Sequence, residues 1–390
     1  MASHIPFVNT KEDCRILNKY YMDSDILRVS IEKIEDIKAN LPKGIPLWID
    51  AGVDGCEHHL RNQQESIPSY LNVYSGSDMF ANSAELIKPN KASVRRFVHA
   101  LMDDCLKLKP SLITVPQLAM VDGTMRNKIN MELAQSTNEW KVNSRFRGKL
   151  VFPIVFTHRD QLHGRTKWKP RVDSALKWYN IAGADYIWVV DSSLSDQMGT
   201  GTFRDRFPSL IDFHKYIRLY FPKGTKVIAG PYWGMNLILW ARGLCDYPAI
   251  GLGNAYTYYI PGGRLHKGKT RIAIPPLRRW AVVSPELRTW LDKSLRIINV
   301  EDIAYIELYE LKKRYDSLSF QPAARNQVAR FYKKWFNKIE RTPRAGRSLA
   351  LYQDLSSAYV IGKQLPILPP SGGTARRPER VAEYLMLNCL

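Results

Sequence analysis

Cysteine is scarce in this sequence and scattered where it occurs. Cys14, Cys56, Cys105, Cys245 and Cys389 are an odd number of residues with no CxxC spacing. That excludes a disulfide framework and offers no cysteine-based zinc site, so neither a disulfide-linked partner nor a metal is expected. Long apolar runs are also missing. None approaches the roughly 18 residues of a membrane span, and the opening MASHIPFVNTKEDCR has no apolar signal-peptide core. A cytoplasmic protein without a membrane partner is the expectation. No GxGxxG follows the run IPLWID, which removes the main argument for a dinucleotide fold. No long repeat or low-complexity tract appears.

What the chain has in excess is positive charge: 57 Lys and Arg against 37 Asp and Glu give +20 over 390 residues. Such a balance favours a polyanionic partner, because neutralising phosphates releases condensed counterions. Nucleic acid is the first expectation. Hydrophobic residues at 45% and aromatics at 11% belong to a folded globular chain.

After residue 40, apolar β-rich runs alternate with helical segments. The runs are 45–50, 111–117, 149–156, 184–191, 225–230 and 247–253, and the helix candidates between them include 91–108, 171–183, 209–221 and 235–244. Continuous apolar strands separated by helices predict a parallel sheet covered on both faces. Six strands with room for two more fit an α/β fold of the (β/α)8 barrel type better than an open doubly wound sheet. From about residue 285 the pattern is helical only. Within it Val328, Phe331, Tyr332, Trp335, Phe336 and Ile339 make one apolar face, read as core, with basic flanks. The expected division is a barrel over 1–285 and a basic helical region over 286–390.

A parallel barrel does its chemistry at the C-terminal ends of its strands. Those ends carry Asp50, Gln117, His158, Asp191, Tyr232, Trp233 and Asn254. Each has a plainer reading. Asp50 before Ala51-Gly52 could close a turn, Asp191-Ser192-Ser193 looks like a helix cap, and Gln117 suits a loop amide. His158, beside Arg159 and Asp160, suits a surface position, and the aromatics suit barrel packing.

The order and spacing of these segments resemble the tRNA-guanine transglycosylase superfamily, in character its DNA-acting branch that inserts 7-deazaguanines. The family's first-strand Asp-Ser-Gly-Gly-Phe is similar to Asp50-Ala51-Gly52-Val53-Asp54. Its Phe-Asp-Glu falls on Pro116-Gln117-Leu118, and its Gly-Ile-Val-Gln-Gly on Pro153-Ile154-Val155-Phe156-Thr157. Its Met-Gly-Val-Gly resembles Ile228-Ala229-Gly230-Pro231, and its Ala-Arg-Gly-Ile-Asp-Met-Phe-Asp-Cys-Val lies beside Ala241 to Ile250. The resemblance covers about residues 44–260 and implies a carboxylate at Asp50 that supports catalysis at a glycosidic bond. The departures are specific. The family's nucleophilic Asp falls on Pro248, with Asp246 two residues earlier, its base-reading Asp is Gln117, and its zinc ligands are absent.

Losing the nucleophile points from base exchange towards hydrolysis, in which a carboxylate stabilises an oxocarbenium-like sugar and activates water. The expectation is thus a DNA glycosylase without cofactor, releasing a modified base in DNA modification or antiviral defence. Asp50, Asp191 and Asp246 are its candidate carboxylates. Gln117, His158, Tyr232, Trp233, Asn254 and Tyr256 are candidates to hold a flipped base. Arg264, Lys267, Lys269, Arg271, Arg278 and Arg279 form a basic Gly-Gly loop for phosphates. Base exchange into DNA or tRNA, with RNA as the alternative partner, and a non-catalytic nucleic-acid-binding barrel are the other two readings.

Overall fold

Eight short runs, most of them rich in Val, Ile and aromatic side chains, bury themselves as the staves of one closed parallel barrel in the computed structural model. The structure describes residues 4–54, 56, 69–80, 90–120, 124–156, 165–191, 194, 201–252, 270–369 and 377–390. The strands are β1 (Ile5–Val8), β2 (Leu27–Ser30), β3 (Leu47–Asp50), β4 (Leu112–Thr114), β5 (Lys149–Phe156), β6 (Tyr186–Asp191), β7 (Lys226–Ala229) and β8 (Tyr247–Gly251). Each pairs in parallel with the next, and β8 closes on β1 through Ile5 opposite Ala249 and Phe7 opposite Gly251. The expected barrel is therefore what the chain forms, and the two strands not assigned in the sequence are β1 and β2.

Helices connect the strands: α1 (Lys11–Tyr20), α2 (Ile34–Ile37), α3 (Ser69–Asn72), α4 (Lys91–Lys107), α5 (Thr124–Ser144), α6 (Arg165–Ala182), α7 (Gly201–Tyr220) and α8 (Met235–Ala241). Local chemistry fixes several starts. Thr10 and Asp13 form a reciprocal capping box on α1, and the Asn90 side chain accepts the Ala92 N–H at the start of α4. The helical region adds α9 (Pro285–Leu295), α10 (Ile303–Lys313), α11 (Tyr315–Leu318), α12 (Gln321–Glu340), α13 (Arg347–Gln364) and α14 (Arg380–Leu387).

The apolar face of α12 is core, as its periodicity implies. Phe336 meets His4 at 4.9 Å and Trp240 at 4.6 Å between ring centroids, while Tyr332 donates to Asn236 Oδ1 at 2.6 Å. By packing against α1, and through Phe336, Tyr332 and Lys333 against His4 before β1 and against α8, α12 stands where the helix following β8 would complete the ring. A second apolar cluster gathers α9, α10 and α11 around Trp290, Leu308 and Tyr315.

Part of the expected basic loop is instead an antiparallel hairpin, β9 (Arg271–Ile274) and β10 (Arg279–Val282). Its alternation joins the two clusters: Ala273 and Trp280 face the barrel's, while Ile272, Ile274 and Ala281 face the second.

Candidate active site at the barrel mouth

Strand alternation decides which side chains point into the barrel. Phe7, Trp48 and Trp188 meet inside it edge to face, with ring centroids 5.4–5.7 Å apart. Their indole donors are satisfied: Trp48 Nε1 donates to Thr114 Oγ1 at 2.8 Å and Trp188 Nε1 to the Gly230 carbonyl at 2.7 Å. These three rings plug the lumen and form a floor.

Above that floor lies a buried ion pair. Arg28 stands opposite Phe7 and Trp48 in the strand register, so it points inward with them. Its guanidinium lies over the Phe7 ring at 4.7 Å and the Trp188 ring at 5.9 Å. One Nη donates to Asn9 Oδ1 at 3.1 Å and the other to Asp50 Oδ2. Asp50, two residues beyond Trp48, shares the inward face and is fully buried. Its other oxygen accepts the Gly52 N–H at 3.2 Å, an Asx-type turn in which Gly52 adopts φ +63°. Asp50 is thus a turn residue and an oriented carboxylate at once.

The rest of the wall follows from the same parity. Ser30, paired with Asp50, faces inward beside it. Across the lumen the inward positions at the ends of β7 and β8 are Gly230 and Gly251, and at Gly230 the place of a side chain is taken by Tyr232. Tyr70 donates to the Gly52 carbonyl at 2.6 Å and braces the turn. Burial first, then the neighbouring Cys56, Asp54, Glu32 and Asp50, push its hydroxyl well above the usual tyrosine range, so it stays a donor.

The other two candidate carboxylates do not join Asp50. Asp191 has the parity opposite to Trp188 and points out of the barrel, where Arg206 of α7 grips it through two nitrogens, Nη2 at 2.6 Å. Its own backbone N–H donates to Tyr232 Oη at 2.6 Å. Ser192 and Ser193 of the expected helix cap lie outside the described residues. Asp246 lies before the first residue of β8, at the barrel's opposite end. There it binds Arg218 at 2.9 Å and accepts the Val227 N–H at 2.8 Å. The expected convergence of Asp50 and Asp191 on one mouth is corrected by strand parity, and Asp246, the candidate replacement nucleophile, is placed at the other end by strand polarity.

The base-holding candidates divide in the same way. Gln117 is buried, and its amide donates to the Pro116 and Asn130 carbonyls at 2.7 and 3.0 Å, tying the β4 end to α5. Trp233 donates to the Arg278 carbonyl at 3.0 Å and packs on Phe331 and Tyr332 of α12, so its ring faces core rather than the mouth. Tyr232, beside Asp191, is equally buried. Together with Tyr21, Asn236, Leu252 and Arg325 these aromatics line a cleft of about 340 Å³, counting its open side, between β8 and α12. His158, Asn254 and Tyr256 lie outside the described residues, as do Arg264, Lys267 and Lys269.

Of the described arginines of the basic stretch, Arg278 and Arg279 are bound inside the protein, which corrects their reading as phosphate ligands. Arg278, at φ +52°, forks onto Asp354 of α13 at 2.7 and 2.9 Å. Arg279 donates to the Arg377 carbonyl at 3.0 Å, and burial lowers its pKa to about 10. Arg271 stacks on Trp280 at 4.3 Å. Sequence reasoning missed Arg28 altogether. Its signal was a charged residue inside the apolar run ILRVS, at the right distance before a second strand that ends in Asp.

No protein-family model and no curated protein matches the chain. Among solved structures it is similar to orotidine 5'-phosphate decarboxylase from Pyrococcus horikoshii, at 12% identity and TM-score 0.30 over 65% of this chain and 90% of that one. It is also similar to an enolase from Agrobacterium radiobacter bound to sodium and L-malate, at 9% identity and TM-score 0.30 over 68% of this chain and 53% of that one. The barrel itself is read from the closed circuit of eight paired strands.

Proposed function

We propose that this barrel is an enzyme that hydrolyses the N-glycosidic bond of a base in DNA, with Asp50 as the reacting carboxylate. One observation carries the reading. Asp50 is an inward-facing carboxylate at the C-terminal end of a barrel strand, held by Arg28 and Gly52 above an aromatic floor and opposite two glycines. A buried ion pair costs several kcal/mol of desolvation per ion and is often no more stabilising than apolar residues of the same size. Its presence where barrels perform chemistry favours a working role over a packing one. The net charge of +20 and the likeness to the transglycosylase superfamily around Asp50 supply the substrate class.

In this reading the carboxylate faces the anomeric carbon as positive charge develops there, and it takes a proton from the attacking water. The water's oxygen bonds to that carbon, the base leaves with the bonding electron pair, and a proton neutralises it. Arg28 keeps the carboxylate oriented, and the sugar enters on the Gly251 side of the mouth. Hydrolysis is favoured over base exchange because the remaining candidate nucleophiles are tied elsewhere, Asp191 to Arg206 on the outer face of the barrel and Asp246 to Arg218 at its opposite end.

The test incubates pure protein with plain DNA and with DNAs carrying hypermodified bases, without an acceptor base. Mass spectrometry reads free base and alkali reads abasic sites. Wild type releases base from at least one of these DNAs, and Asp50→Asn loses that release by about 10²-fold or more while still binding DNA. Unimpaired turnover by Asp50→Asn refutes the role of Asp50. Release that depends on an added deazaguanine restores base exchange, and binding without release in any arm leaves a binding barrel.

A further inference from the structure

We infer that the nucleic-acid backbone lies along the mouth-side ends of α4, α5 and α6, on an arc of basic side chains distinct from the 264–279 stretch. The inference rests on the nucleic-acid reading above and names its contact surface.

Helices in a parallel barrel begin at the mouth, so their first turns rim the site. First turns normally favour Asp and Glu, because the helix dipole is positive there. In α4, α5 and α6 the first turns contain no acid. Basic residues stand in and just after them instead: Lys91, Arg95 and Arg96 on α4, Lys128 on α5 and Lys169 on α6, every one exposed. These helices are consecutive around the barrel and pack side by side. Because α4 leads back from the mouth between β3 and β4, the arc begins beside the strand that ends in Asp50.

Among the described residues, Glu132 and Glu139 pair with cations of the arc: Glu132 meets Lys91 at 3.1 Å and Glu139 meets Arg95 at 3.3 Å. The second pair is exposed on both sides, so it is worth little and exchanges readily for a phosphate. Three helices at interaxial spacings of 8–10 Å span roughly 20 Å, the length of about six base pairs at 3.4 Å per pair. Lys91, in a first turn, opposes the dipole of its own helix, whereas a phosphate backbone along the arc is met by side-chain charge and helix polarity of one sign. The two buried arginines at 278 and 279 point the same way, since their guanidiniums are already bound inside the protein.

The experiment measures binding of the full chain to a 30-base-pair DNA duplex across a salt series by fluorescence anisotropy. The arc variant is Arg95→Gln, Arg96→Gln, Lys128→Gln and Lys169→Gln. The control, Lys107→Gln, Lys149→Gln, Lys223→Gln and Lys226→Gln, removes the same charge from exposed positions at the barrel's other end. The arc variant is expected to flatten the slope of log K against log salt by about 3 to 4, at roughly 0.9 per lost phosphate contact, while the control changes it by less than 1. Equal changes in the two variants, no change in the arc variant, or no duplex binding by wild type each overturn the interface. If the quadruple variant loses its thermal transition, the Arg95/Arg96 and Lys128/Lys169 pairs are read separately, each at about half the effect. Asp50→Asn, run in parallel, separates the two readings. Base release lost with the slope intact bears on the chemistry alone, and a flattened slope in the arc variant stands whether or not any base is released.

Discussion

At the scale of single residues, the candidate site turns on one pair. Removing one member of a buried ion pair leaves the other charged in a dry place, typically at a cost of about 3–5 kcal/mol. Arg28→Met is therefore expected to lower the urea unfolding free energy by about that amount, and Arg28→Met with Asp50→Leu to recover most of it. A double variant as unstable as the sum of the singles contradicts the pairing. Asp246→Asn makes the opposite kind of prediction. Its partner is partly solvated, so the cost is about 1 kcal/mol, and base release is expected to stay at the wild-type rate. Asp50 was legible in the sequence because a buried strand running into Asp-x-Gly is an unusual way to stop. Asp191 also ends a strand but does different work, since a one-dimensional pattern does not reveal parity relative to the barrel axis, and Asp246, just before the run 247–253, lies at the opposite end. Arg28 was illegible because a charge inside a short run argues against burial until its partner on the next strand is known.

At the scale of elements, most of the barrel was readable and its two ends were not. The central strands are continuous apolar runs, as sheets covered on both faces require. β1 and β2 are only four residues each, and Pro6, Arg28 and Ser30 interrupt their apolar character. Their identity comes from closure, which no local window contains. Helix α6 begins before its expected start and runs through Pro170, its sixth residue, which has no N–H to give the Thr166 carbonyl. The α12 stripe was correctly legible as core, but not that it supplies the last helix of the ring. That role has a measurable cost when broken: Phe336→Ala is expected to destabilise the fold by about 3–5 kcal/mol, followed by denaturant unfolding. A loss below about 1 kcal/mol contradicts the docking of α12 on His4 and α8.

At the scale of the whole molecule, two buried histidines tie stability to pH. His214 lies wholly inside the α7 layer, and burial holds its pKa at about 3. Burial, then the Lys333 ammonium 3.2 Å away, hold His4 at about 3 against the opposing pull of Asp23. Both stay neutral when folded and gain a proton when unfolded, around pH 6.5. The unfolded state therefore binds more protons between about pH 3 and 6.5, and stability falls as the medium is acidified through that window. Each histidine contributes a slope of about 1.4 kcal/mol per pH unit there. His214→Leu is expected to flatten the stability profile below pH 6 by about one proton, measured by urea unfolding at stepped pH. An unchanged slope contradicts the neutral buried state. Asp13 and Glu307, raised chiefly by burial, act with the opposite sign and temper the fall.

The position of α12 also sets an order of events during synthesis. β8 ends at Gly251, but the helix that covers β8 and β1 ends at Glu340, about 90 residues later. At 5–20 residues per second the ribosome takes roughly 5 to 18 seconds to cross that gap. Throughout it all eight strands have been made while the seam between the first and the last lacks its cover. The nascent chain therefore waits with its apolar closing edge unprotected, and that interval, rather than the pairing of the strands, is when a chaperone has most to do for this protein.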